Sequence, residues 1–203
     1  NYSMMKLADK ELIRWTIDEA LNTDSIDELI ITTLDDSLIK FLSGIYRNAT
    51  KVTFILRDHR KPSILNQDID ELALGIVSKR PDVEIIVLLN QESPFRTALY
   101  IEKAINTSLL FKLDTVIAAR QDDDIFFIHD GKSLVNRRPD IKTKKERDDL
   151  FRKVGGLMVI RSDYLMSNSN LFSGRVGHVI LDQKSAFTIR TKFDWQIAKL
   201  LVQ

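Results

Sequence analysis

Asn90, Ser93 and Arg96 lie on one short stretch directly after the apolar run Ile85-Ile86-Val87-Leu88-Leu89. An amide, a hydroxyl and a guanidinium so close together offer several donors to an anionic, oxygen-rich ligand. Arg96 has an equally good reading as a local ion-pair partner, because arginines near a surface usually pair with neighbouring acids. A second polar group, Arg57-Asp58-His59-Arg60-Lys61, follows Val52-Thr53-Phe54-Ile55-Leu56 and is closed by Pro62, making it the most basic strand exit in the first half. Asp35-Asp36-Ser37 fits a helix cap better than a catalytic pair, since short polar side chains satisfy the first amides of a helix. Asp122-Asp123-Asp124 fits a solvated turn, because consecutive strand residues point to opposite faces and cannot converge on one ion. His59, His129 and His178 have no partner at metal-ligand spacing. No nucleophile elbow, Walker loop or dinucleotide fingerprint is present, and Gly174-Arg175-Val176-Gly177 is too short a glycine signal to mean phosphate binding by itself. The residues alone describe a polar, arginine-bearing crevice suited to an anionic ligand.

The elements that would position these groups alternate. Helical periodicity runs over 10–22 (Leu12, Trp15, Ile17, Ala20, Leu21), 38–46, 68–79, from Thr97 (Leu99, Ile101, Ile105, Leu109, Leu110) and over 194–202. Apolar, β-branched runs predict strands at 27–34, 52–56, 85–89, 114–119, 155–160, 174–181 and 187–190. Such alternation calls for an α/β domain with a mostly parallel sheet, in which ligands bind beyond the carboxyl ends of the strands. The run 85–89 fits a strand buried on both faces. After Arg120 the pattern breaks. Ile125-Phe126-Phe127-Ile128 followed by Asp130-Gly131 predicts a hairpin with a two-residue turn, and Asn136 to Lys153 reads as a basic, mobile arm. This excursion over 121–153 is the expected subunit contact.

At 203 residues with 44% hydrophobic content, the chain can bury a core as one domain spanning 1–203. Thirty Lys and Arg against 29 Asp and Glu leave a net charge of +1 and disfavour a protein built to neutralise a nucleic-acid backbone. The basic arm lacks the interleaved aromatics that would stack bases. There is no cysteine, which excludes disulfides, zinc–thiolate sites and thiol nucleophiles. No apolar run is long enough to span a bilayer, and no signal peptide is visible, so a cytoplasmic protein is expected. The chain begins at Asn1 and enters an amphipathic helix almost at once, so a preceding segment is expected.

Several short motifs, in order, resemble the acylneuraminate cytidylyltransferases, which make CMP-sialic acids, and their relatives acting on similar acidic sugars. Leu89 to Thr97, LNQESPFRT, resembles the family's L-Q-P-T-S-P-L-R-T, and Thr33 to Ile39 resembles its S-T-D-D-x-x-I. Val52 to Arg57 is similar to its strand ending in R-P, Gly174 to Gly177 to its G-K-I-G, and Ile189 to Ala198 to its terminal I-D-T-x-x-D-F-x-x-A. The resemblance covers most of the chain. It implies a Rossmann-like nucleotidyltransferase fold, a homodimer, and attack of a sugar acid's hydroxyl on the α-phosphate of CTP with Mg²⁺ present. By the same resemblance Arg57 lies near the nucleotide, Asn90, Ser93 and Arg96 bound the sugar side, and Phe151 stands where the family often has a tyrosine beside the substrate.

The departures are equally specific. The family's opening strand and its R-x-G-S-K-G-x-x-x-K-N triphosphate loop would fall just before Ser3 and are not in this chain. Its metal-binding D-I-D falls on Thr188-Ile189-Arg190, so the Mg²⁺ ligands are not retained. Gln91 and Glu92 replace P-T, and Val154 replaces an Asn. Two readings follow: a divergent cytidylyltransferase, or a degenerate homologue acting as a ligand-binding or oligomerising domain.

Overall fold

In the computed structural model, residues 2–57, 67–122, 124–136, 150–168 and 170–202 are described. The basic run 58–62, Asp123 and positions 137–149 of the arm lie outside them. The element order is β1 (Lys6–Leu7), β2 (Lys10–Glu11), α1 (Leu12–Leu21), β3 (Leu29–Thr33), α2 (Asp36–Ile45), β4 (Val52–Leu56), α3 (Gln67–Val77), β5 (Ile85–Leu89), α4 (Ala98–Phe111), β6 (Thr115–Asp122), β7 (Phe127–His129), β8 (Leu134–Asn136), β9 (Leu150–Arg161), α5 (Ser162–Ser167), β10 (Val176–Ile180) and α6 (Lys192–Leu201). The expected α/β layering is present, but the sheet is mixed.

The larger sheet has the order β10-β6-β9-β5. β10 runs parallel to β6, while β9 is antiparallel to both β6 and β5. β5 therefore does not sit in a purely parallel sheet; its hydrogen-bonded neighbour is the antiparallel β9. β9 also absorbs Leu150 to Lys153, which the sequence assigns to the end of the arm. A separate parallel pair is formed by β3 and β4, and β1 with β2 and β7 with β8 make short antiparallel pairs.

The sheet packs on both faces, as alternation along its strands requires. Ile101, Ala104 and Ile105 of α4 cover one face with Val116, Ala118, Leu157, Val159 and Val179. Ala73 and Val77 of α3 and Leu165 of α5 cover the other with Met158 and Ile160. Within β5, Ile85, Val87 and Leu89 join the first layer, and Ile86 and Leu88 the second. All five are half-buried rather than fully buried, because among the described residues β5 has a paired strand along one edge alone. The β3–β4 unit is covered by α1 and α2 through Ile17, Ile31, Leu38 and Leu42. It is joined to the main layer through Leu29, shared by both cores, and through Arg80, whose Nη1 lies 2.9 Å from Glu28 Oε2.

Other expectations meet specific outcomes. Asp35 is the N-cap of α2, accepting from the Ser37 and Leu38 amides. β7 and β8 pair as the expected antiparallel hairpin, but through a four-residue connection, Asp130 to Ser133. Asp130 carries that connection by accepting from the Lys132 and Ser133 amides. Phe187 to Arg190 is not a strand; its backbone is irregular, and the Ile189 amide is spent on Glu92 O at 2.8 Å. The buried stripe of α4 is narrower than its apolar residues suggest. Leu99 and Leu110 are 71% and 75% exposed, whereas Ile101, Ala104, Ile105 and Ser108 are buried at i, i+3, i+4 and i+7.

That stripe gives a direct test. Ile101→Ala should destabilise the fold by about 2–5 kcal/mol, while Leu110→Ala should stay within about 0.5 kcal/mol, both measured by equilibrium urea unfolding.

Candidate functional site

Three backbone segments meet beyond the carboxyl end of β5. The first is the loop Asn90 to Thr97, which leaves β5 and feeds α4. The second is the start of the inner half of β9, where Gly155 and Gly156 adopt φ of 66° and 51° and the pairing with β6 shifts register between Ile117 and Ala119. The third is the irregular run Phe187 to Arg190.

Arg96 joins the first two. Its side chain is 1% exposed, and its Nη1 donates to Gly155 O at 2.7 Å and Gly156 O at 3.0 Å, with a longer contact to Asn90 O at 3.5 Å. Nη2 reaches Thr16 Oγ1 of α1 at 3.5 Å, while Nε has no acceptor among the described residues. Burial draws the guanidinium pKa down to about 10, against the opposing charges of Glu19 and Glu92. Glu19 also accepts from the Ala98 amide at 2.7 Å, placing a carboxylate at the amino end of α4, where the helix dipole favours one.

The glycines make this approach possible. A Cβ on Gly156 would stand 2.8 Å from Asn90 Cβ and 3.1 Å from Ser93 Oγ, and one on Gly155 would stand 2.5 Å from Leu181 Cδ2. Their left-handed backbone is also one that L side chains rarely adopt. The Asn90 amide donates to Gly156 O at 2.8 Å, so loop and bulge are fixed to each other.

The third segment is tied to the same loop. Ser93 Oγ and Thr188 Oγ1 are 3.0 Å apart, and Ser93 is fully buried. Beneath them Trp15, Phe95 and Phe187 form an aromatic chain with centroid spacings of 6.0 and 6.2 Å, packed with Leu12, Ile189 and Trp195. Thr191 and Asp194 form a capping box that begins α6. Behind the bulge, Asp182 accepts from the Ser185 hydroxyl at 2.6 Å and its amide at 2.9 Å, and from the Tyr100 hydroxyl at 2.9 Å. These donors hold its pKa down to about 2.

The sequence-expected residues thus fall into distinct groups. Asn90, Ser93 and Arg96 are together, but only Asn90 is exposed; Ser93 and Arg96 face inward. Arg57 follows β4, its amide donating to Thr33 O at 2.8 Å and its Nε buried without a partner among the described residues. Phe151 is 42% exposed and stacks on His178 with centroids 4.3 Å apart, with no hydrogen bond or ring contact to the Asn90 loop among the described residues. Thr16, Glu19 and Asp182 are supporting residues that sequence reasoning did not single out. They come from remote elements and carry no local motif.

No family model matches the chain. It is 20% identical over 212 residues to post-translational flagellin modification protein B of Campylobacter coli, across 100% of this chain and 88% of that protein. Over 92 residues, 44% of this chain and 39% of the relative, it is 22% identical to CMP-N,N'-diacetyllegionaminic acid synthase of Campylobacter jejuni. The chain is a relative of the cytidylyltransferases. Its fold agrees with that kinship. A 4-diphosphocytidyl-2C-methyl-D-erythritol synthase from Anaerococcus prevotii superposes with a TM-score of 0.73 at 16% identity, covering 98% of this chain and 88% of that one. A CMP:2-keto-3-deoxy-manno-octonic acid synthetase complexed with CTP superposes at 0.67 and 12% identity, covering 99% and 91%. Both likenesses are of fold, the Rossmann-like nucleotidyltransferase architecture.

Two outcomes follow for this cytidylyltransferase relative. Gly156→Ala should lower stability by about 2 kcal/mol in urea unfolding, from backbone strain and the clash with Asn90. Asp182 has a folded pKa below the ordinary carboxylate value of about 3.9, so its contribution is full above that value and fades as pH falls toward about 2. Asp182→Asn should therefore melt below the parent at pH 6, and the gap should close on acidification to pH 2.

Proposed function

We propose that the chain is a cytidylyltransferase-like protein whose site, beyond the carboxyl end of β5, receives CTP and a sialic-acid-type sugar acid. The observation that carries this reading is the meeting of the Asn90–Thr97 loop, the Gly155-Gly156 bulge and the Thr188–Arg190 run at one end of the sheet. This is where α/β sheets bind ligands. The whole-length likeness to a flagellin modification protein and the partial likeness to a CMP-legionaminic acid synthase support an acidic sugar as the acceptor. In the reaction the sugar acid's hydroxyl oxygen bonds to the α-phosphorus of CTP and gives up its proton to solvent, the bond from that phosphorus to the bridging oxygen breaks, and pyrophosphate leaves. Arg57 serves the nucleotide and Asn90 the sugar. Ser93 and Arg96 act by positioning the Asn90 loop, and Phe151 offers an exposed ring near the start of β9.

The protein works as a cytoplasmic homodimer in this reading. No helix among the described residues is long and apolar enough to cross a membrane. The β7–β8 hairpin exposes Phe127 at 55%, Leu134 at 66% and Val135 at 47%, an apolar pair of strands suited to a second copy. Light scattering should give a dimer, and Leu134→Asp with Phe127→Asp should give a monomer; a parent monomer at high concentration contradicts the assignment.

A second reading, a non-catalytic homologue that binds the ligand, is favoured by Thr188 and Arg190 at the positions where the resembling family has its carboxylates. Pyrophosphate release from CTP in the presence of sialic-type acids separates the two. Release supports catalysis, and CTP binding without release supports the second reading.

A further inference from the structure

We propose that an extended apolar strand, supplied by the stretch of chain leading into Asn1, lies between β3 and β5 and joins their sheets into one. The proposal does not depend on the nucleotide reading above.

It starts from the hydrogen bonds of the two strands. The Ser162 amide donates to Glu84 O at 3.0 Å and the Asn90 amide to Gly156 O at 2.8 Å, which fixes the phase of the β5–β9 ladder. Bonding alternates along an antiparallel strand, so Ile86 and Leu88 spend their backbone groups on β9, while Ile85, Val87 and Leu89 aim theirs at the opposite edge. β3 has the same property. Its Leu29 amide donates to Lys51 O at 2.7 Å, and its Thr33 O accepts from the Arg57 amide at 2.8 Å. Leu29, Ile31 and Thr33 therefore bond toward β4, and the backbone groups of Ile30 and Thr32 point away from it. Neither open edge has a strand partner among the described residues. The residues along both edges are half-buried, and a backbone group withdrawn from water without a partner is costly.

The open edges face each other. Arg80, ahead of β5, pairs with Glu28, ahead of β3, at 2.9 Å. Leu29 shares a core with Ile85, Val87 and Leu89, whereas Val52 and Phe54 of β4 pack in the α1–α2 core alone. Helix α1 reaches both strands: its Ile17 shares a core with Ile31, and its Thr16 Oγ1 makes a long contact, 3.5 Å, to Asn90 O. β3 and β5 thus lie side by side under one helix, with their amino ends together and their directions the same.

The surroundings dictate what fits there. β5 has apolar cores on both faces, through Ile85, Val87 and Leu89 on one and Ile86 and Leu88 on the other, so a strand beside it is apolar along its length. β3 and β5 have 5 residues each, which sets its extent. The position of the first described residues identifies the source. Tyr2 lies against Trp195 with ring centroids 5.6 Å apart, and the charge of Glu92, in the loop that leaves β5, reaches its hydroxyl. Met4 packs in the core of β3. The chain therefore enters at the carboxyl ends of both strands, and a strand that delivers it there runs parallel to them.

The test is amide hydrogen exchange on the 203-residue chain and on the native protein carrying the residues that precede Asn1. In the 203-residue chain Ile30, Thr32, Ile85, Val87 and Leu89 should exchange about tenfold or more faster than in the native protein, while Ile86 and Leu88, bonded to β9, stay slow in both. A proline placed midway along the preceding stretch of the native protein should release the same amides and spare the centre of β6, a readout that stands even where the shorter chain folds poorly. Equal exchange at these amides in both proteins overturns the proposal, as does a native protein that begins at Asn1. So does protection that arises in the 203-residue chain only as its concentration is raised, which makes a second copy the occupant.

Discussion

A buried cation that, among the described residues, bonds to backbone carbonyls and a hydroxyl rather than to a carboxylate organises this end of the molecule. Arg96 gives up its hydration to bond the carbonyls of Gly155 and Gly156, and the drop of its pKa to about 10 reflects the cost of that burial. Such a charge is tolerated because it satisfies carbonyls turned inward by left-handed glycines: without the guanidinium Gly155 O would lose this donor, at about 1–3 kcal/mol, while Gly156 O would keep the Asn90 amide. Cation and bulge therefore require each other. The bulge turns its carbonyls toward the loop that leaves β5, and the cation fixes that loop to them.

The rest of the site is built outward from that joint. Ser93, drawn in beside Arg96, presents its hydroxyl to Thr188, and Glu92 O captures the Ile189 amide. The run before α6 is thereby attached to the loop after β5, nearly a hundred residues away in the chain. Trp15, Phe95 and Phe187 fill the space underneath, so α1, the loop and the carboxyl-terminal segment share one core. Asn90 is left exposed on a backbone anchored at both ends, a suitable mounting for a residue that must meet a ligand in a fixed orientation.

Much of this was legible in the sequence where the signal is local. The runs 52–56 and 85–89, the cap at Asp35 and the grouping of Asn90, Ser93 and Arg96 follow from periodicity and short-range chemistry, and the structure has them. The antiparallel course of β9 was not legible, because direction is set by pairing with distant strands and a buried apolar run reads alike both ways. The inward aim of Arg96 was hidden for a similar reason. Its acceptors are backbone carbonyls, and any residue could have supplied them; the clue was the adjacent pair Gly155-Gly156, which needs φ above zero. Phe187 to Arg190 looked like a strand on composition, yet its amide bonds went to a loop rather than to a ladder.

The most direct measurement is amide hydrogen exchange on the parent and on Arg96→Met. If Arg96 is the joint, the Asn90 and Ile189 amides, which donate to Gly156 O and Glu92 O, exchange slowly in the parent and lose protection together in the variant. The central amides of β6 should keep theirs. Unchanged protection at Asn90 and Ile189 in a folded Arg96→Met protein would contradict the account.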